Sequence, residues 1–406
     1  MTHRPHPFVF SSDADRDFDI RCVLGIAVEG AAEPGEVIAA TTGIAPHDHA
    51  GWMAAWRELG ERARAIGDAS LAAGATVSAA QAFLRASTYF GVAVNALSAL
   101  ADDSELPELF AAQSQTWESF VDQVVVDVER IAIPYEQRTL PGWFFRSPRA
   151  AAGPAPTLVA VNGSDGSLAA LWGVVVAAAL RRGYHVLVFD GPGQQSMLFT
   201  DGVPFRPDWE HVLTPVVDAL IERDDVDPER LAVFGISQGG YWVPRALAFE
   251  HRFAAALVDP AVVDVSTSWT AHLPHSLLSL LAAGDDDKFD REMALGMKLS
   301  PTTARTWRFR ARPYGTTGYA ATLRAVQQYQ LRDVAAQIRT PMLITAPEGE
   351  QFWPGQSAEL ARLAPDVSTV VPFTAAEGAD GHCQPLARTL TAQRMFDWLD
   401  TRLASH

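Results

Sequence analysis

The pentapeptide Gly235-Ile236-Ser237-Gln238-Gly239 follows the apolar run Leu231-Ala232-Val233-Phe234 and leads into a segment rich in alanine, leucine and aromatics. Strand, tight turn and helix in that order lift a serine hydroxyl clear of the backbone, and the flanking glycines remove side chains that would crowd it. Ser237 is therefore the candidate nucleophile. Acyl transfer by serine also needs a base for the hydroxyl proton, an acid that orients the base, and backbone donors for the oxyanion. His382 suits the base. It lies in the loop Gly378-Ala379-Asp380-Gly381-His382-Cys383, after the apolar run Ser368–Phe373 and before a short helix-like tail. In the chain order serine, carboxylate, histidine, the acid falls after Met342-Leu343-Ile344-Thr345, in Ala346-Pro347-Glu348-Gly349-Glu350-Gln351-Phe352-Trp353-Pro354. Glu350 is the first choice. Glu348, and Asp259 at the end of the run Ala254–Val258, are the alternatives, while Asp380 reads as a turn residue with Gly381.

One oxyanion donor is expected from the backbone N–H of Gln238, the residue after the nucleophile. The second is expected from Val161-Asn162-Gly163-Ser164-Asp165-Gly166-Ser167, with Ser164 as donor, because glycines there let backbone approach a ligand closely. The same stretch also reads as a turn capping the helix from Leu168. Asp190-Gly191-Pro192-Gly193-Gln194-Gln195 reads as a structural turn shaping the pocket floor, and Asp165, Trp143, Trp269, Phe352 and Trp353 are candidates for the substrate pocket.

These residues need a scaffold, and the apolar pattern supplies one. Trp52, Trp56, Leu59, Ala63 and Ile66 recur at helical spacing, as do Ala79, Ala82, Phe83, Ala86 and Phe90. A third helix is expected to start near Asp103-Ser104 and to carry Phe110, Trp117 and Phe120 as core. From Ile131 the pattern changes to two antiparallel strands, Ile131–Tyr135 and Leu140–Phe145. Short apolar runs follow at Thr157–Val161, His185–Phe189, Leu231–Phe234, Ala254–Val258, Met342–Thr345 and Ser368–Phe373, separated by helix-length segments, which is the signature of a parallel α/β sheet buried on both faces. The reading is thus a helical segment over 1–130 and an α/β segment over 131–406, interrupted by a helical insertion at about 263–339 that covers the strand ends.

The chain has 406 residues, 48% of them hydrophobic, and a formal net charge of −16, enough core for one large and one smaller domain and no basic stripe for nucleic acid or an anionic membrane. A small-molecule substrate is the expected partner, and a homodimer is left open. Two cysteines, Cys22 and Cys383, make no disulfide framework, and the start Met1-Thr2-His3-Arg4-Pro5 lacks the apolar stretch of a secretory signal, so a cytoplasmic location is expected. The run around Leu168–Leu180 is too short and too rich in glycine and alanine to span a bilayer. Asp285-Asp286-Asp287 reads as a solvated acidic turn, because no fitting ligand set accompanies it; no metal or cofactor is expected. No fixed repeat period survives counting, which sets aside a propeller-bearing peptidase.

Together these pieces resemble the α/β-hydrolase superfamily from about Ile131 to the C-terminus. Within it, the helical N-terminal segment, Asn162-Gly163-Ser164-Asp165, Asp190-Gly191-Pro192-Gly193-Gln194, Gly235-Ile236-Ser237-Gln238-Gly239-Gly240 and Asp380-Gly381-His382 are similar to the group containing 2,6-dihydroxypseudooxynicotine hydrolase and the fungal polyketide-shortening hydrolases. The resemblance implies an α/β-hydrolase fold whose N-terminal helices close over the site as a lid. It also implies a Ser-His-acid triad used on a carbon–carbon bond next to a ketone, with the acid at Glu350, four residues before Pro354. A carboxylesterase or lactonase using the same triad is the alternative, and a non-catalytic binding protein is disfavoured by the intact residue set. Two features depart from the group: Glu350 stands where Asp is usual, and Pro244 lies inside the helix after Ser237, where a lost hydrogen bond and a kink are expected.

Overall fold

A computed structural model describes residues 8–404. Five helices open the chain: Ala14–Gly25, Pro34–Thr41, His49–Ala72, Thr76–Ala96 and Leu106–Gln123. The two long ones carry the periodic positions noted above, which are buried except for Ile66, exposed on the outer side of its helix. The fifth begins at Leu106, slightly later than the sequence suggests, because Asp102 takes up the Ser104 N–H in a local turn instead of a helix cap. The first two helices are marked at their starts, by Asp13 and Pro34, and not by apolar periodicity. Ala14–Gly25 buries Arg16 and Arg21 along with Ile20 and Val23, so no apolar stripe marks it, although Asp13 caps it by accepting from the Asp15 and Arg16 N–H groups.

Eight strands follow: β1 (Val128–Tyr135), β2 (Arg138–Phe145), β3 (Ala155–Val161), β4 (His185–Phe189), β5 (Val226–Ile236), β6 (Ala255–Asp259), β7 (Met342–Pro347) and β8 (Ser368–Phe373). They form one sheet in the order β1-β2-β4-β3-β5-β6-β7-β8. The β1–β2 and β2–β4 pairs are antiparallel and the rest parallel. Side chains alternate between two cores, as a strand buried on both faces requires. Val159, Val161, Leu187, Phe189, Val233 and Val258 face one core, which is closed by the helices Glu210–Ile221 and Gly239–Leu247. Leu158, Ala160, Val186, Val188, Phe234 and Leu257 face the other.

That second core does not stop at the first helix layer. It runs without a break from the sheet through Trp172 and Val176 into Trp117, Phe120, Phe90, Phe83 and Trp56 of the N-terminal helices, and to Ile20 and Val23 of the first. Between β6 and β7 lie the helices Ser266–Thr270, His275–Ala283, Asp286–Leu299, Pro301–Ala311 and Tyr319–Val326, with a small core of their own around Leu281, Phe289 and Leu323. In this region Asp285 caps a helix and Asp286 pairs with Arg324. Among the described residues no helix is long and apolar enough to cross a membrane.

Pro244 sits inside the helix Gly239–Leu247, and its missing N–H would have bonded to the Gly240 carbonyl one turn back. That carbonyl accepts instead from the Val262 N–H at 3.1 Å. The expected loss is therefore recovered by the segment after β6. Because the N-terminal helices share a core with the sheet, a chain beginning at Val128 is expected to expose Trp143, Phe145 and Trp172 and to be recovered as aggregate. A monodisperse, active Val128–His406 fragment on size exclusion would show that the helices are dispensable.

Candidate active site

β5 delivers Ser237 into a turn where its φ is 55°, a left-handed conformation that a side-chain-bearing residue adopts only when its surroundings hold it there. Three glycines make the turn possible. A Cβ at Gly235 would fall 2.4 Å from the Gly239 oxygen, and one at Gly240 would fall 1.8 Å from the Pro260 oxygen. One at Gly163, in the facing loop, would come 3.0 Å from the Ser237 Cβ. The Ser237 N–H donates to the Asp259 carbonyl at the end of β6, at 2.7 Å.

His382 Nε2 lies 3.0 Å from Ser237 Oγ, and its Nδ1 lies 2.9 and 2.8 Å from the two Glu350 oxygens. Glu350 follows β7, and its Oε1 also accepts from the Phe352 and Trp353 N–H groups at 2.9 and 3.1 Å. Burial pushes the Glu350 carboxyl up, but the hydrogen bond and charge of His382 and the two backbone donors outweigh it and hold the group below the ordinary range. The carboxylate is thus ionised at neutral pH and can fix the Nδ1–H tautomer that leaves Nε2 free to take a proton.

The other two carboxylates considered above are engaged elsewhere. Glu348 accepts from the Ala375 N–H at the surface. Asp259 is fully buried and accepts from Thr345 Oγ1 at 2.7 Å, Gln384 Nε2 at 2.9 Å and Arg388 Nη2 at 3.2 Å.

Opposite the nucleophile, the Asn162–Ser167 loop is braced from below. Gln194 donates to the Asn162 and Gly163 carbonyls, each at 2.9 Å, and accepts from the Gly191 N–H, so the Asp190–Gln195 turn supports this loop. Ser167 caps the following helix through the Ala170 N–H. Among the described residues the backbone N–H groups of Gln238 and Ser164 have no acceptor, while the neighbouring Ser237, Gly163 and Gly240 N–H groups do. Asp165 is exposed and is held by its carbonyl, which accepts from Asn95.

Of the expected aromatic lining, Phe352 and Trp353 pack on the His382 ring at 4.8 and 5.7 Å between centroids. Trp269 belongs to the insertion and packs on Trp307 and Tyr314. Tyr314 extends that contact to Phe205 and Tyr329, and burial pushes its hydroxyl up. Trp143 stands apart: its indole donates to Glu118 and its ring packs on Trp117, joining β2 to the fifth helix. An aromatic near a strand end reads as pocket lining in sequence, and only the contact with Glu118 shows that this one is core. Phe18 stands outside the periodic apolar positions, yet its ring lies 6.3 Å from that of His382 and 5.8 Å from that of Phe352. A recognised Asp13 cap would have revealed its helix.

The hydrolase acrC of Aspergillus aculeatus is 32% identical over 94% of this chain and 95% of its own length. The chain belongs to the α/β-hydrolase family. This hydrolase is also 29% identical, over 98% of each chain, to the 20-hydroxy-prefusarin hydrolase FUS2 of Gibberella moniliformis. The profile of the prolyl oligopeptidase family of peptidases matches residues 175–294, the stretch that holds the elbow. Among solved structures, the 2,6-dihydroxy-pseudo-oxynicotine hydrolase shares the fold of this hydrolase, with a TM-score of 0.73 over 94% of this chain and 95% of that one, at 19% identity.

Glu350 and Asp259 can be separated by two readouts. Glu350→Gln is expected to lower kcat by about 10⁴-fold, as a wrong tautomer does, with a smaller loss of melting temperature than Asp259→Asn. Asp259→Asn leaves Arg388 buried without its charge partner and is expected to cost about 3–5 kcal/mol of stability. A fully stable but inactive Asp259→Asn beside an active Glu350→Gln would make Asp259 the orienting acid.

Proposed function

We propose that this protein is a serine hydrolase in which Ser237, His382 and Glu350 form the triad, and that it cleaves a carbon–carbon bond next to a ketone, in an aryl ketone or β-dicarbonyl metabolite of middle size. The observation that carries the reading is the unbroken chain from Ser237 Oγ through both His382 nitrogens to Glu350, walled by Phe18, Phe352 and Trp353. An apolar wall around the imidazole keeps water from competing for the proton that the leaving carbon must receive. Similarity to a hydrolase of 20-hydroxy-prefusarin supports a metabolite substrate.

The steps follow from the groups present. Ser237 Oγ attacks the ketone carbon as its proton passes to His382 Nε2, and the alkoxide that forms is held by the Gln238 and Ser164 N–H groups. Collapse of the adduct breaks the carbon–carbon bond. The electron pair leaves on carbon, delocalised as an enolate, and the His382 Nε2–H delivers its proton there. Water, deprotonated by His382, then attacks the acyl-serine; the acid is released and Ser237 regains its proton. An ester runs through the same groups with an alkoxide as leaving group, so the triad alone serves both bonds, and enclosure favours the carbon leaving group.

Ser237→Ala is expected to lower turnover at least about a thousandfold with the fold intact, and a fluorophosphonate is expected to label Ser237 in the wild type. Purified enzyme should be assayed on aryl 1,3-diketones and matched aryl esters, with products identified by mass. High kcat/KM on esters without ketone cleavage across the panel would leave an esterase or lactonase in place of the carbon–carbon hydrolase.

A further inference from the structure

The second oxyanion donor is a backbone N–H, so its aim is set by whatever holds its peptide unit. The Ser164 N–H shares a planar trans unit with the Gly163 carbonyl, and in such a unit the two groups point in opposite directions. That carbonyl accepts from Gln194 Nε2 at 2.9 Å, so the Ser164 N–H is turned away from Gln194. Gly163 in turn lies tight against the nucleophile: a Cβ there would fall 3.0 Å from the Ser237 Cβ and 3.5 Å from Ser237 Oγ. Among the described residues the Ser164 N–H has no acceptor, and the peptide unit that carries it adjoins Ser237.

The Gln194 side chain is buried, and its Nε2 donates to the Asn162 and Gly163 carbonyls while its Oε1 accepts from the Gly191 N–H, all at 2.9 Å. Two carbonyls and one N–H as partners fix which end of the amide is nitrogen. Glycines let the amide fold back beneath the loop. A Cβ at Gly191 would fall 2.8 Å from Gln194 Oε1, and one at Gly193, whose φ is 78°, would fall 2.0 Å from Phe205 Cδ1. The far end of the turn is tied to the fifth helix, where Gln113 Nε2 donates to Gln195 Oε1 at 2.5 Å. Beyond Ser164 the loop is held by its carbonyls as well: Asp165 accepts from Asn95 at 3.2 Å, and Gly166 and Ser167 accept from Asn162 Nδ2 at 2.7 and 3.0 Å. Side-chain amides thus grip the carbonyls on both sides of Ser164.

We propose that Gln194 is a positioning residue of the oxyanion hole, which fixes the Gly163–Ser164 peptide plane so that the Ser164 N–H meets the alkoxide formed when Ser237 attacks. The inference rests on the serine-hydrolase reading above and holds for a ketone or an ester, since both pass through the same tetrahedral alkoxide. A donor already aimed at the developing charge stabilises it without reorganisation. An unpinned peptide unit must turn as the charge forms, so loss of the Gln194 bonds weakens the transition state and spares the ground state.

The test compares Gln194→Met and Gln194→Glu with wild type on whichever of the aryl diketone and aryl ester the wild type cleaves. Gln194→Met is expected to lower kcat about 100-fold, the scale of losing one oxyanion donor, with KM within about threefold. Inhibition by an aryl trifluoromethyl ketone reads the same contact: Ser237 Oγ adds to its carbonyl, the Ser237 proton passes to His382, and the alkoxide occupies the hole. Its Ki is expected to rise by about the factor that kcat falls. In Gln194→Glu the new carboxyl, buried against two carbonyl oxygens, holds its proton near neutrality and donates one of the two bonds. That variant is expected to keep kcat within about tenfold of wild type and to lose it as pH rises and the carboxyl ionises, an alkaline limb absent from wild type and from Gln194→Met. A wild-type kcat in Gln194→Met, or Gln194→Glu as slow as Gln194→Met at every pH, would overturn the proposal. Should Gln194→Met be recovered unfolded, Gln194→Glu decides alone, its alkaline limb supporting the proposal and the lack of one overturning it. Turnover retained in Ser237→Ala would instead overturn the serine-hydrolase reading.

Discussion

Asp259 is the residue on which the geometry of the site depends. Its carbonyl accepts the Ser237 N–H at the elbow and the Cys383 thiol beside His382, while its buried carboxylate accepts from Thr345 on β7, Gln384 in the histidine loop and Arg388 at the start of the last helix. Ser237 and His382 are 145 positions apart in the chain, yet both are referred to one strand end. The arrangement also holds strain. Ser237, Cys383 and Gln384 sit at φ of 55°, 56° and 44°, and a non-glycine residue held in an unfavourable backbone region costs about 1–3 kcal/mol. A buried ion pair with two further donors around the carboxylate holds those conformations, because moving one partner away leaves a buried charge less well satisfied.

Glu350 answers a different electrostatic problem. A carboxylate taken out of water tends to protonate, which would free the imidazole to turn. The His382 Nδ1–H and the Phe352 and Trp353 N–H groups reverse that tendency, and the net displacement is downward. With its folded value below its unfolded value, this group adds stability above the unfolded carboxylate range and loses it as pH falls through the depressed folded value.

Much of this was legible in the chain because the governing signals are local. The runs His185–Phe189 and Ser368–Phe373 match β4 and β8, since apolar runs bounded by turn residues are what a strand in a buried sheet looks like in sequence. β5 starts earlier than its apolar run, at Val226, because Val226 pairs with Ala155 across a register shift that no local pattern encodes. Glu350 stands out from Glu348 and Asp259 in sequence only by its place four residues before Pro354, and their partners tell the three apart in the structure. The helix Ala14–Gly25 was missed because its buried side chains include arginines satisfied by the Ala45 carbonyl, Asp17 and the Phe8 carbonyl, contacts that depend on the tertiary fold. Phe18 was missed with it.

Two helical layers flank the site, and apolar packing attaches both, with polar links between them. The N-terminal helices are continuous with the sheet through Trp172, Trp117 and Phe120, an apolar contact that neither salt nor pH weakens much near neutrality. The insertion has its own small core and meets the N-terminal helices at the rim through Arg305 to the Ala99 carbonyl, Arg308 to the Ala101 carbonyl and the Arg312–Asp103 pair. Partly exposed polar links of this kind contribute about 0–1 kcal/mol each and are screened by salt. The layer that carries Trp269, Trp307 and Arg310 has an apolar footing besides these polar links: Phe309 packs against the core shared by the N-terminal helices and the sheet, and Tyr314 and Val326 belong to the core on the other face, with Trp269 packed against it.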